Sequence, residues 1–436
     1  MRGLLRLDTD RNFCGIGREA GIAEQRIHHF ISNSPWSSDD VCNQVIKELK
    51  ETLALVKGGV LLVDESADEK AGDKSAGAAK QYNGRLGKLE TSQVGVFFSY
   101  ANMHVEQGFW TWIKGELYLP EKWFSADFKK LRDKLGIPSD LNFKTKIQIA
   151  WEGIKELTEQ NLQYEIVAFD GFYGRDAWLR ANIRDIGKIY VAEIPSNTKV
   201  YLEKPEIGIL IHNENHGRTQ PTPRVLSGKS VRVDSLHEQL DWKEIQVRAV
   251  ERGHLCEQFA AIRVWTVHKG LAVEDWLIVR KESDGIYSYA LCNASIDVSI
   301  EQLAWWKCQR YFVERSNQDA KSEFGWDEFQ ARRYRAWEHH LSLTILASWF
   351  IALTKYNFAK DNIRDPELLR EFKVDLLPAL SVANIRELLK AVMPLRQLTI
   401  DDATELVVNH FINRLRSRKS RIKKKKLEQQ GDTIPN

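Results

Sequence analysis

Val60-Leu61-Leu62-Val63 runs directly into Asp64-Glu65, and Ile166-Val167-Ala168-Phe169 runs the same way into Asp170-Gly171. Short, unbroken apolar runs predict strands buried on both faces, as in a sheet covered by helices. Each run ends in a carboxylate. If the two strands are parallel neighbours, Asp64 and Asp170 converge at the carboxyl edge of the sheet, where open α/β sheets bind ligands. Two hard oxygen donors there suit Mg²⁺, which keeps part of its water and takes one or two protein carboxylates beside substrate phosphates. Acids at strand ends are also common turn formers, so the pair alone leaves a structural reading open.

Outward from these runs, Val94 to Tyr100 and Trp110 to Leu119 read as further strands, and Ala126 to Leu135 and Lys144 to Glu159 as helices. Ile147, Ile149, Trp151, Ile154 and Leu157 give the second helix an apolar side. A mixed sheet flanked by helices follows. From Lys188 to Asp297 the helical period disappears, and Pro195, Pro205, Pro221 and Pro223 punctuate short β-like runs, which predicts a β-rich insertion. Helical spacing resumes at Ser299 and runs through Leu341 to Ala359 to the C-terminal helices. Ahead of the first strand, Ile16, Ala20, Ala23, Ile27 and Phe30 recur at helical steps, and Ser37 or Ser38 can cap a following helix that opens with Asp39 and Asp40. This pair of helices resembles a helix-turn-helix.

A 436-residue chain with 43% hydrophobic and 28% charged residues is ordinary globular material, which excludes wholesale disorder and fibrous repeats. Five cysteines, odd in number and without a CxxC, suggest neither a disulfide framework nor a zinc ribbon. The most apolar stretch, Leu341 to Leu353, is too short to cross ~30 Å of hydrocarbon and reads as a core helix, so no membrane partner is expected. The net charge of +3 hides an asymmetry. Arg414 to Lys426 holds nine basic residues and no acid, so the rest of the chain is net −6. Such a tail is expected to be disordered when free and drawn to polyanions, nucleic acid above all.

A third acid, Glu314, sits four residues after Arg310 and seven before Lys321, which places all three on one helix face. In isolation the pattern is that of ordinary ion pairs on a solvated face. Beside two aspartates it suits a site that holds a metal while phosphate oxygens are neutralised. Lys74, Lys80, Arg85 and Lys88 lie on a glycine-rich stretch where small residues let phosphate approach the backbone, around an Asn83-Gly84 turn signal. Weaker candidates are a zinc site from His212, His216 and Cys256, and base stacking by Trp265 and Trp276, for which core packing is the alternative. His339-His340 is expected to pack on the core helix. Fourteen tryptophans beside paired acids leave a glycoside hydrolase as a formal competitor.

Three blocks together resemble prokaryotic insertion-sequence transposases of the DDE type, over roughly residues 3 to 425. The first comprises Asp64-Glu65-Ser66, the Gly72 to Lys88 stretch and Gln93-Val94-Gly95-Val96. The second is Phe169-Asp170-Gly171-Phe172-Tyr173-Gly174. The third is Glu314-x6-Lys321-x-Glu323-x-Gly325 with Phe329 and Arg332, and Leu376 to Val382 is similar to the family's C-terminal region. The resemblance implies a ribonuclease-H-like α/β fold: a mixed sheet flanked by helices, with a β-rich insertion and helical N- and C-terminal parts. The implied division is a helical DNA-binding region at 1–57, catalytic core at 58–187, insertion at 188–298, the rest of the core with the Glu helix at 299–360, C-terminal helices at 361–413 and a basic disordered tail at 414–436.

By the same resemblance Asp64, Asp170 and Glu314 would be the catalytic triad, holding two Mg²⁺ ions for which Mn²⁺ can substitute. Arg310, Lys321 and Arg332 would contact DNA, alongside Lys74, Lys80, Arg85 and Lys88 and the tail residues Arg414, Arg416, Arg418, Lys419 and Arg421. The implied partners are double-stranded DNA, both terminal inverted repeats and target, with a homodimer on paired ends in the nucleoid-associated cytoplasm. A catalytically inactive DNA-binding remnant is the alternative. Two departures stand out: Lys307 occupies a position where related transposases carry tyrosine, and the early Met1-Arg2-Gly3-Leu4-Leu5 leads to the expectation of a missing N-terminal piece.

Overall fold

The computed structural model describes residues 1–83, 87–209, 223–250, 253–328, 331–375, 377, 380–393 and 399–429. Five helices come first: α1 (Arg2–Arg6), α2 (Phe13–Ala20), α3 (Glu24–Ser32), α4 (Ser38–Glu51) and α5 (Leu53–Val56). Ser37 caps α4 by accepting from the Asp40 amide, with Asp39 and Asp40 in the first turn, where the helix dipole favours acids. Strands β1 (Val60–Glu69), β2 (Ala79–Asn83), β3 (Lys88–Asn102) and β4 (Phe109–Tyr118) follow, then helices α6 (Lys129–Leu135) and α7 (Lys146–Glu159). Next come β5 (Ile166–Phe169), α8 (Gly171–Gly174), α9 (Ala177–Asp185) and β6 (Ile189–Ile194).

The core strands lie in the order β4-β3-β1-β5-β6, with β3 antiparallel to both β1 and β4, and with β5 parallel to β1 and to β6. This is the ribonuclease-H-like arrangement, a large mixed sheet with helices on both sides. Strand alternation explains why the apolar runs are unbroken. Leu61 and Val63 pack in the cluster that holds α7 and α9, while Val60 and Leu62 pack in the cluster that holds α10 (Ile300–Gln309) and the start of α11 (Tyr311–Ser322).

The β-rich interval holds β7 (Lys199–Tyr201), β8 (Glu206–Gly208), β9 (Arg224–Ser227), β10 (Ser230–Arg232), β11 (Lys243–Val250), β12 (Gly253–His268), β13 (Leu271–Lys281) and β14 (Tyr287–Cys292). It does not stand apart from the core. β14 pairs antiparallel with β6, and β13 and β12 continue outward, so that among the described residues twelve strands form one sheet. Trp265 and Trp276 lie on β12 and β13 respectively. His212 and His216 fall outside the described residues, while Cys256 is exposed on β12.

The 29-residue α12 (Tyr334–Asn362) contains the apolar stretch read as a core helix and packs on β4 and α4. It is followed by α13 (Pro366–Phe372), α14 (Val382–Val392) and α15 (Ile400–Gln429). Helix α15 corrects the expectation of a disordered tail: from Arg414 to Lys426 the chain is helical, because Lys and Arg are good helix formers and nothing in the run breaks the period. No helix among the described residues is long and apolar enough to cross a membrane.

His340 lies buried within α12, its ring stacked on Trp326 at 4.9 Å and its Nε2 3.1 Å from the Trp326 carbonyl. Burial disfavours the imidazolium and pushes its pKa down to about 3, against the pull of that carbonyl. An unfolded histidine takes up a proton near pH ~6.5. Between these values the unfolded chain binds more protons than the native one, so His340 withdraws stability as pH falls from ~6.5 toward 3. Melting temperatures of wild type and His340→Gln at pH 7 and pH 5 are expected to show the smaller acid loss in the variant.

Candidate active site

Register brings the two aspartates together. Val63 on β1 pairs with Phe169 on β5, so the next residues, Asp64 and Asp170, emerge side by side. Contrary to the sequence reading, Asp64 does not end its strand, since β1 runs on to Glu69 against β3; only the parallel pairing with β5 stops at Val63. Asp170 does leave its strand and caps α8, accepting from the amides of Phe172 at 3.0 Å and Tyr173 at 3.3 Å. Burial, then the neighbouring Asp170, pushes the Asp64 pKa up to about 8. Asp170 is raised as well, chiefly by burial.

Helix α11 forms the facing wall. Glu314, Asn317 and Lys321 succeed one another at helical steps, and with Asp64 and Asp170 they line one cleft of about 1050 Å³. The cleft is also bordered by Tyr82, Phe172, Asp327 and Glu328. Lys321 Nζ donates to the Ala67 carbonyl at 3.0 Å, tying the helix to β1. Glu314 is more than half exposed and faces Arg310, whose Nη2 lies 2.7 Å from its Oε1, while Arg310 Nε lies 2.9 Å from Glu193. Burial disfavours the guanidinium charge, yet Glu193 and Glu314 outweigh it and hold the Arg310 pKa above its ordinary value. Among the described residues no three His, Cys, Asp or Glu side chains converge closely enough to hold a metal ion.

Asn317 was not legible as a site residue. Its Oδ1 accepts from the buried Trp112 Nε1 at 3.0 Å, and its Nδ2 donates to Asp64 Oδ2 at 3.3 Å. An indole N–H can only donate, so Trp112 fixes the amide with its NH₂ toward the carboxylate. Asp64 Oδ1 accepts from the Glu65 amide at 2.8 Å, which pins both oxygens. Glu65 lies 2.9 Å from Lys146 and borders the same cleft. Its charge is close enough to add to the raised pKa of both aspartates.

The other sequence candidates are spread more widely. Lys74, Lys80 and Lys88 are exposed, and Lys80 shares its strand face with the cleft-lining Tyr82. Lys88 is 3.3 Å from Glu90. Arg85, Gly84 and Phe329 lie outside the described residues. Arg332 is exposed, and its carbonyl accepts from the Ala76 amide at 2.9 Å. Arg414, Arg416, Arg418, Lys419 and Arg421 are exposed on α15, where Arg414, Arg418 and Arg421 border a separate groove with Phe411, Leu415 and Ile422.

Fold and cleft place the chain among the ribonuclease-H-like α/β proteins. Residues 1–254 match the family model described as DDE superfamily endonuclease, and the chain belongs to that family. The match takes in both aspartates and ends before Glu314. The chain is 28% identical over 188 residues to a probable transposase for insertion sequence element IS701 of Microchaete diplosiphon. That match spans 42% of this chain and 44% of the relative's length. The piggyBac transposase, solved as a synaptic complex with hairpin DNA, aligns with a TM-score of 0.37 and 11% identity over 84% of this chain and 62% of its own.

Proposed function

We propose that this protein is a DNA transposase that binds the ends of an insertion sequence, cleaves the DNA and joins the 3′ ends to target DNA by two-metal-ion phosphoryl transfer. The observation that carries the reading is the pairing of Asp64 with Asp170 at the carboxyl edge of the sheet, in a cleft walled by Glu314 and Lys321. The family membership and the similarity to an insertion-sequence transposase support it.

The donor chemistry fits Mg²⁺: burial raises the pKa of both aspartates, Asp170 adds to the rise at Asp64, and a hard cation relieves that cost through their carboxylate oxygens. Asp64, Asp170 and Glu314 would hold the ions, Glu314 from its place on the cleft wall beside Arg310. Bound divalent ions would supply an activated water or 3′-hydroxyl and stabilisation of the leaving 3′-oxygen. Asn317 keeps Asp64 oriented, and Lys321 and Arg310 neutralise phosphate. The helical region 1–57, the basic residues around β2 and Arg332 contribute further DNA contacts, and two copies act on paired ends. Incubating duplex that carries the DNA flanking the coding region with Mg²⁺ tests the reading: nicks and strand transfer are expected, and binding without either defeats it.

The basic half of α15 supplies a sequence-independent part of the affinity. Deleting residues from Arg414 onward is expected to weaken binding to every duplex alike. It also flattens the plot of log affinity against log salt, by roughly 0.9 for each phosphate that is no longer neutralised. Filter binding at several salt concentrations reads the slope; an unchanged slope removes α15 from the interface.

A further inference from the structure

Val63, Phe169 and Ala192 are register partners across β1, β5 and β6. The next residue on each strand is an acid: Asp64, Asp170 and Glu193. Parallel pairing therefore sets three carboxylates in a row along the carboxyl edge, of which the sequence reading named two. Leu62 and Val191, two positions before Asp64 and Glu193, both pack in the cluster beneath α10 and α11, so strand alternation turns Glu193 to the same face as Asp64.

Glu193 differs from the aspartates in its partners. Arg310 Nε lies 2.9 Å from one of its oxygens and Lys307 Nζ 3.5 Å from the other. Lys307 is only 2% exposed, so its ammonium has little water to turn to. Arg310 spends its remaining edge on Glu314, at 2.7 Å. Lys307, Glu193, Arg310 and Glu314 thus form one continuous ionic chain from the core to the rim of the cleft. Two cations on one carboxylate leave a surplus positive charge, and that surplus faces Glu314.

We propose that Glu193 is a positioning residue of the cleft: it anchors Arg310, which in turn holds Glu314 at the rim opposite Asp64 and Asp170. Lys307, the lysine in the tyrosine position, compensates Glu193 from the buried side and keeps it paired with cations. The inference rests on the reading of Glu314 as a site carboxylate.

The test uses the full chain with Glu193→Gln, Glu193→Asp and the double variant Glu193→Gln/Lys307→Met, which leaves no unpaired lysine in the core. Readouts are thermal melting, Mn²⁺ binding by calorimetry, and nicking of a supercoiled plasmid carrying the DNA that flanks the coding region. The double variant is expected to melt close to wild type and to bind Mn²⁺ within about threefold. At saturating DNA it should nick roughly 10–100-fold more slowly, the range for loss of a group that orients a site residue, with Glu193→Asp recovering part of the rate. Nicking within about twofold of wild type by the folded double variant would overturn the proposal. So would a loss of Mn²⁺ affinity on the order of 10-fold or more that Arg310→Gln does not reproduce, because a residue acting through Arg310 cannot matter to the metal more than Arg310 does. If wild type nicks nothing, the transposase reading fails, and a double-mutant cycle in melting temperature still decides the anchor. A Glu193→Gln effect that is the same with and without Arg310→Gln means that the two residues are uncoupled, and the anchor is lost.

Discussion

Asp64→Asn is expected to abolish DNA cleavage and, in the metal-free protein, to raise the melting temperature. The first effect follows from charge. Loss of a single neutral donor to a developing oxyanion costs about 10²–10³-fold, and a metal-holding carboxylate carries more charge than such a donor, so a loss of ~10³-fold or more is expected. The second follows from linkage. Burial and Asp170 push the folded Asp64 pKa up to about 8, whereas an unfolded aspartate titrates near ~3.9. Between these values the native state holds a proton that the unfolded chain has released, so the native state loses stability as pH rises through the interval. Asparagine has the same shape and carries no charge to desolvate; keeping its oxygen on the Glu65 amide turns its NH₂ toward that of Asn317, which offsets part of the gain.

The variant's advantage should therefore be small at pH 5 and largest at pH 8 and above, on the order of 2 °C or more. Mg²⁺ should stabilise wild type by binding the native state and leave the variant nearly unmoved. Scanning calorimetry at pH 5, 7 and 8.5, with and without Mg²⁺, checks both signs. A variant that melts below wild type at pH 8.5 without metal would refute the account of a strained, metal-demanding carboxylate pair.

Gly174→Ala is expected to damage both stability and cleavage, while Gly171→Ala, three residues earlier in the same short helix, is close to neutral for packing. A Cβ on Gly174 would lie 1.8 Å from the backbone oxygen of Glu193 and 2.8 Å from its carbonyl carbon. That strand cannot move aside, because β6 is hydrogen-bonded to β5 on one edge and to β14 on the other. The helix must move instead, and its N-cap is Asp170. Overpacking of this kind costs about 1–3 kcal/mol and sometimes more. Displacing α8 misplaces the carboxylate, so cleavage measured well below the melting temperature should fall further than the folded fraction does. A Cβ on Gly171 would meet nothing nearer than 3.9 Å. Equal melting temperatures for the two variants would show that the close approach to Glu193 is not a constraint.

These positions also separate what was legible in the chain from what was not. The second aspartate block could be quoted from sequence down to Gly174, yet nothing local says why a glycine stands there; the reason is a carbonyl on a strand that follows in the chain. Gly325 is similar: its backbone is left-handed at φ +67°, and a Cβ would meet the Arg11 side chain at 2.4 Å. Glu323, quoted with it, pairs at 2.6 Å with Arg386, whose Nε also donates to the Leu5 carbonyl, so this motif ties the first helix to the C-terminal helices.

The apolar runs of β1 and β5, the acids that follow them, the change of period at the insertion and the one-face spacing of Arg310, Glu314 and Lys321 were all determined by the sequence itself. Each is a local periodicity or an adjacency, and backbone geometry converts those directly into strands, helices and faces. Only the tertiary structure decided that Val63 pairs with Phe169, that the insertion continues the core sheet through β14 and β6, that Trp112 orients Asn317 toward Asp64, and that Glu193 completes a row of acids. Those depend on strand register and on side chains meeting across long separations in the chain. Register is set by the burial of whole faces at once, so no local stretch of sequence carries it.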